Sequence, residues 1–196
     1  MRGFTLIELA VTFMVLGLLI VAAGPSIGTW IGNTQVRGTA TSIQNGLNRA
    51  RAEAVRLNRP VRFSLVALAD SAVLDNSCAL SAVGTSWVVS VNDPTSLCAA
   101  AVSDTVAPLI VDKAAGGVGG KNVVVSALQA DGATAANTVT FNPFGRVIDA
   151  APIERIDVDN QISGGDYRAL RIVIGSGGTV RMCDVKVVSA TDPRKC

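Results

Sequence analysis

From Phe4 to Ala23 the chain reads FTLIELAVTFMVLGLLIVAA, 20 residues with a single charge, Glu8, and the next charge comes only at Arg37. At a rise of about 1.5 Å per residue the run spans about 30 Å as a helix, the thickness of a bilayer core, and predicts a membrane-crossing helix. Gly24 and Pro25 come next. A proline there removes a backbone hydrogen bond and predicts a kink or local loosening, and Gly28, Gly32 and Gly38 add flexibility to the stretch. Val36, Ala40, Ile43, Leu47, Ala50, Ala54 and Leu57 then recur at alternating steps of four and three, which defines one apolar stripe on a continuing helix. Pro60 disfavours helical geometry at Arg59 and ends that helix near Asn58. Without sustained heptads and charged flanks the stripe does not read as a coiled coil, so it predicts packing on the chain's own sheet.

Beyond Pro60 the pattern becomes that of strands. Val61 to Val66, Trp87 to Val91, Val106 to Val111, Val123 to Leu128, Thr138 to Phe141, Ile153 to Val158, Ala169 to Ile174 and Thr179 to Cys183 alternate with Gly, Asn, Asp and Pro clusters. The expected fold is α+β: a long N-terminal helix, partly transmembrane, packed on a C-terminal antiparallel β-sheet head. Residues 4–58 form the helix, with 4–23 as its membrane part and 33–58 as its amphipathic part, and residues 59–196 form the head. Ala114 to Gly120, AAGGVGG, reads as a turn or loop; lacking a Lys-Ser/Thr ending, it is no phosphate-binding loop. Trp30 is expected at a membrane interface and Trp87 in the sheet core.

Composition narrows the chemistry. Hydrophobic residues make up 49% and charged residues 16%, well below the share usual in soluble proteins, in keeping with a segment that does not face water. There is no histidine, which removes Ser-His-Asp and Cys-His catalysis and most zinc sites; no enzyme is expected. Cys78, Cys98, Cys183 and Cys196 lack metal-ligand spacing and read as two disulfides in an oxidising compartment. Three connectivities are open, of which sequential pairing is the simplest.

The first eight residues carry a motif. Met1-Arg2-Gly3-Phe4-Thr5-Leu6-Ile7-Glu8, followed at once by an apolar helix, resembles the leader of type IV pilins and type II secretion pseudopilins. The resemblance implies that residues 1–3 are a class III leader, cut between Gly3 and Phe4 by a prepilin peptidase, with methylation of the new amine and retention of the helix. An ordinary signal peptide would instead be cleaved after Ala23. An acid within an inserted helix is costly and is retained for a partner, and the new amine of Phe4 on a neighbouring subunit supplies one. Glu8 is therefore an assembly candidate, and Pro25 marks a segment able to unwind on packing.

Two further blocks point the same way. Val139 to Val147, VTFNPFGRV, is similar to the FNGLGR-like strand and turn of the GspH/FimT family, and Gly178 to Cys183 with Asp192 to Cys196 resembles the disulfide-closed end of FimT- and FimU-like minor pilins. Leu68 to Ala136 matches no such block and is expected to be the variable surface. The resemblance implies a structural subunit of a filament anchored in a bacterial inner membrane, single-pass, with its head in the periplasm. It serves pilus biogenesis or type II secretion and primes or caps assembly. Its partners are other pilins or pseudopilins of the same filament, the prepilin peptidase, and an inner-membrane assembly platform; no cofactor is implied.

Charge distribution adds two expectations. Residues 37 to 62 hold six arginines against one glutamate, a net of +5, whereas residues 63 to 145 hold two lysines against six aspartates, a net of −4, so neighbouring subunits can meet with opposite signs. In the tail, Arg181, Lys186, Arg194 and Lys195 lie in or beside the Cys183–Cys196 stretch. Relatives of this kind include DNA-binding minor pilins used in natural transformation, which makes these four residues candidate phosphate contacts, although Asp184 and Asp192 lower the local excess and no aromatic is interleaved. Asp157 and Asp159, two apart on a strand, share a face near Asp149 and Glu154, but no defined ligand spacing surrounds them and no metal site is expected.

Overall fold

The computed structural model describes residues 5–116, 122–162 and 166–196, without the side chains of 21–26. Gly3, Phe4 and most of the glycine-rich stretch at 114–120 lie outside the described residues.

The first element, α1, is one helix of 52 residues, Leu6–Leu57. It closes on Asn58, which takes the left-handed conformation at φ 50° and returns its amide to the carbonyls of Ala54 and Val55, an ending that asparagine tolerates better than other residues with a Cβ. The expected interruption at Gly24 and Pro25 does not divide the helix. A proline deletes one donor, while the ladder on either side stays whole. Of the three glycines expected to add flexibility, Gly32 differs, and Gly46 behaves like it. A Cβ on Gly32 would lie 2.4 Å from the Tyr167 ring, and one on Gly46 2.8 Å from Phe63 and 2.9 Å from Trp87. Both positions are therefore sites of close helix–sheet approach, whereas Gly28 and Gly38 face open space.

Among the described residues nine strands follow: β1 (Val61–Ala67), β2 (Ala79–Leu80), β3 (Ser86–Ser90), β4 (Ile110–Ala114), β5 (Val123–Leu128), β6 (Thr138–Phe141), β7 (Arg155–Asn160), β8 (Leu170–Ile174) and β9 (Val180–Asp184). They form two antiparallel sheets instead of one. In the first the order is β2-β1-β3-β4, with β6 also pairing β1; in the second it is β5-β7-β8-β9. β4 begins four residues later than the hydrophobic pattern suggests, because Pro108 has no amide to give a ladder. β2 is too short to leave an alternation in the sequence.

The helical stripe covers both sheets. Val36, Ala40, Ile43, Leu47, Ala50 and Ala54 are wholly buried against Phe63, Leu65, Val89, Phe141, Ile156 and Ile172. Trp87 joins this core, 5.8 Å from Phe63 between ring centroids, and its indole N–H donates to the Ser42 hydroxyl at 3.0 Å. The first sheet is covered on its other face as well, where Val66, Val88 and Ile110 pack on the Cys78–Cys98 disulfide. β3 is consequently buried at every position. Residues 68–136 supply β2, β3, β4, β5 and most of this second core.

Candidate functional site

The head of α1 is organised by its own side chains. The Thr5 amide and hydroxyl both donate to Glu8 Oε2, at 2.8 and 2.7 Å, and the Glu8 amide donates to Thr5 Oγ1 at 3.4 Å. This reciprocal cap satisfies helix-start donors that have no partner within the helix. Glu8, without a counter-charge in the sequence, thus has local partners in the isolated chain. The Thr5-Leu6-Ile7-Glu8 spacing is the signal from which that cap was legible. Above it the helix is bare: Leu6, Ile7, Phe13, Met14, Leu18 and Ile20 are exposed, as are Ile27, Trp30 and Ile31 beyond Pro25. Among the described residues no helix is long and apolar enough to cross a membrane; the apolar run passes through 21–26, whose side chains are outside the description.

Higher on α1 the basic band is less free than its net charge suggests. Glu53 is only 4% exposed and receives Arg49 at 3.1 Å and Arg56 at 2.6 Å. Both partners lie mostly in solvent, so the pairs hold side chains in place more than they stabilise the fold. Arg51 reaches across and donates to the Gly145 carbonyl at 3.2 Å. That carbonyl belongs to the turn after β6, in which Asn142 Oδ1 accepts the amides of Phe144 and Arg146, each at 3.0 Å. Gly145 and Gly178 have φ of 71° and 79°, and a Cβ on Gly178 would lie 1.8 Å from the Gly145 oxygen. The FNPFGR block is thus a rigid turn clasped between the helix and the β8–β9 connection. Nothing in the sequence alone pairs Arg51 with it. Phe144, at its tip, is 84% exposed.

The C-terminus is tied by the Cys183–Cys196 disulfide and by a hydrogen bond from the Asp184 amide to the Arg194 carbonyl at 2.7 Å. The four tail cations do not form one free patch. Arg194 is held by Asp192 at 2.7 Å, Lys186 by Asp166 at 3.0 Å, and Arg181 donates to the Lys195 carbonyl at 3.3 Å. The Asp192 carboxyl is lowered to about 2, first by the side-chain hydrogen bond from Arg194 and then by that residue's amide. On the second sheet, Asp157 lies between Arg155 at 2.5 Å and Arg171 at 2.6 Å. Burial alone would raise its carboxyl; the hydrogen bonds from Arg171 and then Arg155 outweigh it and hold the pKa below the ordinary value. These arginines engage the carboxylate, and no group of acids or cysteines suited to a metal occurs among the described residues.

A long helix, buried by two sheets over Val36–Ala54 and exposed over Leu6–Ile20, leads into a disulfide-tied antiparallel head, and a family match places this chain in the pilin and pseudopilin class. The chain belongs to the family of Type II transport protein GspH, whose profile matches residues 39–178. No curated protein matches it. Two solved structures of the type IV minor pilin FimU from Pseudomonas aeruginosa PAO1 are similar. In one crystal form the identity is 12%, covering 74% of this chain and 90% of that one, with a TM-score of 0.42; in the other it is 14%, covering 76% and 88%, with a TM-score of 0.44.

Proposed function

We propose that the protein is a minor pilin or pseudopilin that joins an inner-membrane-anchored filament through the bare half of α1 and primes or caps its assembly. One observation carries this reading: among the described side chains, Leu6 to Ile20 and again Ile27, Trp30 and Ile31 expose apolar surface of the helix that its own head does not bury. Such a surface is stable only in lipid or against other helices. A prepilin peptidase cuts between Gly3 and Phe4, the head stays in the periplasm, and an assembly platform feeds the subunit into the fibre. Glu8 then exchanges the Thr5 cap for the amine of a neighbouring subunit, and the Pro25 segment adapts to packing.

The test is incorporation of Glu8→Ala and Glu8→Gln into sheared filaments of the producing bacterium, with N-terminal sequencing of the processed chain. Processing that starts at Phe4, with both variants left in the membrane fraction, is the expected result. Wild-type incorporation of both, or a mature chain starting at Gly24, overturns the reading. DNA uptake, assayed in a strain carrying the Arg194→Gln and Lys195→Gln variant, separates a DNA-capturing role: uptake lost while filaments persist assigns that role to the tail.

A further inference from the structure

Where α1 leaves its apolar run, it borders a groove of about 590 Å³ against the β8–β9 edge of the head. Trp30, Asn33, Thr34 and Arg37 supply the helix side; their spacing of three, four and seven residues places them on one face. Leu170 and Met182 form the opposite wall, with the Cys183–Cys196 disulfide at its end. Asn33 fixes the rim: its Oδ1 accepts the Arg168 amide at 2.7 Å and its Nδ2 donates to the Asp166 carbonyl at 3.4 Å. This ties the Arg168 backbone to the helix, and Arg168 and Arg37 line the same groove. Neither guanidinium has a carboxylate within salt-bridge distance among the described residues, unlike those of Arg194 and Arg155. Trp30 is 69% exposed beside them.

The position of this groove suggests its occupant. No charge falls between Glu8 and Arg37, and Ile27 and Ile31 are exposed, so a bilayer containing residues 4–23 has its surface close to Trp30. Tryptophan favours that depth, and the long Arg37 side chain leans back towards the helix start, hence towards the headgroups. We propose that the groove holds the phosphate headgroup of one anionic phospholipid of the membrane in which α1 is anchored, with Arg37 and Arg168 as the charge contacts and Trp30 stacked along the glycerol backbone. This rests on the membrane-anchored reading above. Arg194, tied to Asp192, and the Asp184 carboxylate also line the groove; the two guanidiniums outside any salt bridge leave a small net positive charge that suits a single phosphodiester, and they are too few for a duplex, whose binding needs many phosphate contacts. The apolar wall of Leu170 and Met182 suits the upper part of an acyl chain.

The full chain is reconstituted into vesicles of phosphatidylcholine alone and of phosphatidylcholine mixed equally with phosphatidylglycerol, and lipid retained after extraction is read by native mass spectrometry. Phosphatidylglycerol is expected to be retained over phosphatidylcholine by about fivefold for each of the two arginines. Arg37→Gln with Arg168→Gln abolishes the preference, whereas Arg37→Lys with Arg168→Lys, which leaves charge and fold in place, keeps it. Arg59→Gln, at the far end of the helix, leaves it unchanged. A chain that inserts into both vesicles and retains both lipids equally, or a double glutamine variant that keeps the preference, overturns the proposal alone. A chain that stays out of both vesicles overturns the anchored reading with it. Displacement of phosphatidylglycerol by a short DNA duplex overturns the lipid assignment in favour of nucleic acid.

Discussion

Single side chains in this protein mostly act by satisfying a neighbour. Glu53 takes two arginines, Asp157 takes two more, and Asn142 shapes the turn on which Phe144 stands. The Asp192–Arg194 pair gives the most direct test at this scale. Its folded carboxyl is depressed to about 2, so the tie to Arg194 is complete above the ordinary aspartate value near 3.8 and is lost as the pH falls through about 2. A carbon-detected titration of the Asp192 carboxyl should show that midpoint in the wild type and a higher one in Arg194→Gln. The return should be partial, because the residue 194 amide remains a donor to Asp192. An unchanged midpoint would show that the side-chain pair does not form in solution. Some of these contacts were legible in the sequence and others were not. Thr5 and Glu8 stand at capping-box spacing, but Arg51 and Gly145 are brought together only by the fold.

Among the elements, α1 is the most legible in sequence and also the one whose glycines are most easily misread. Its stripe follows from periodicity, since only a 3.6-residue repeat places Val36, Ile43, Leu47 and Ala54 on one side. Whether a helical glycine is loose or tightly packed depends on the partner surface, which the sequence does not display. Gly46 and Gly38 separate the two cases. Gly46→Ala drives a methyl into the buried rings of Phe63 and Trp87 and should destabilise the head by about 1–3 kcal/mol. Gly38→Ala meets open space and should stabilise it by about 0.5–1 kcal/mol. Thermal unfolding of the detergent-solubilised chain checks both, and shifts of the same sign would contradict the close approach. The strands show a parallel limit. Alternation located eight of them to within a few residues, but it could not divide them between two sheets, because period two marks a strand's face and not its neighbour.

At the scale of the molecule, two disulfides close what hydrophobic burial leaves open. The Cys78–Cys98 bridge roofs the second core of the first sheet, and the Cys183–Cys196 bridge seals the tail against β9. Closing a loop of this length stabilises by about 3 kcal/mol through the unfolded chain. Replacing both Cys183 and Cys196 by serine should therefore lower stability by no more than about that amount and open Lys186, Arg194 and Lys195 to trypsin, while the Val36–Ala54 core stays protected. Peptide mapping over a digestion course reads this directly, and a tail as resistant as the wild type's would place its order in hydrogen bonds alone.

The way α1 lies across β1 and β3–β9 also has a mechanical consequence. A pull along the rod from its bare end strains the interlocked side chains from Val36 to Ala54 in parallel, so they must slip together and cannot peel one after another. Because α1 runs through residues 58–60 straight into β1, the same load also reaches the ladders that β1 makes with β2, β3 and β6. The head is therefore towed at two places at once, by the face its shaft buries and by the strand into which the shaft continues.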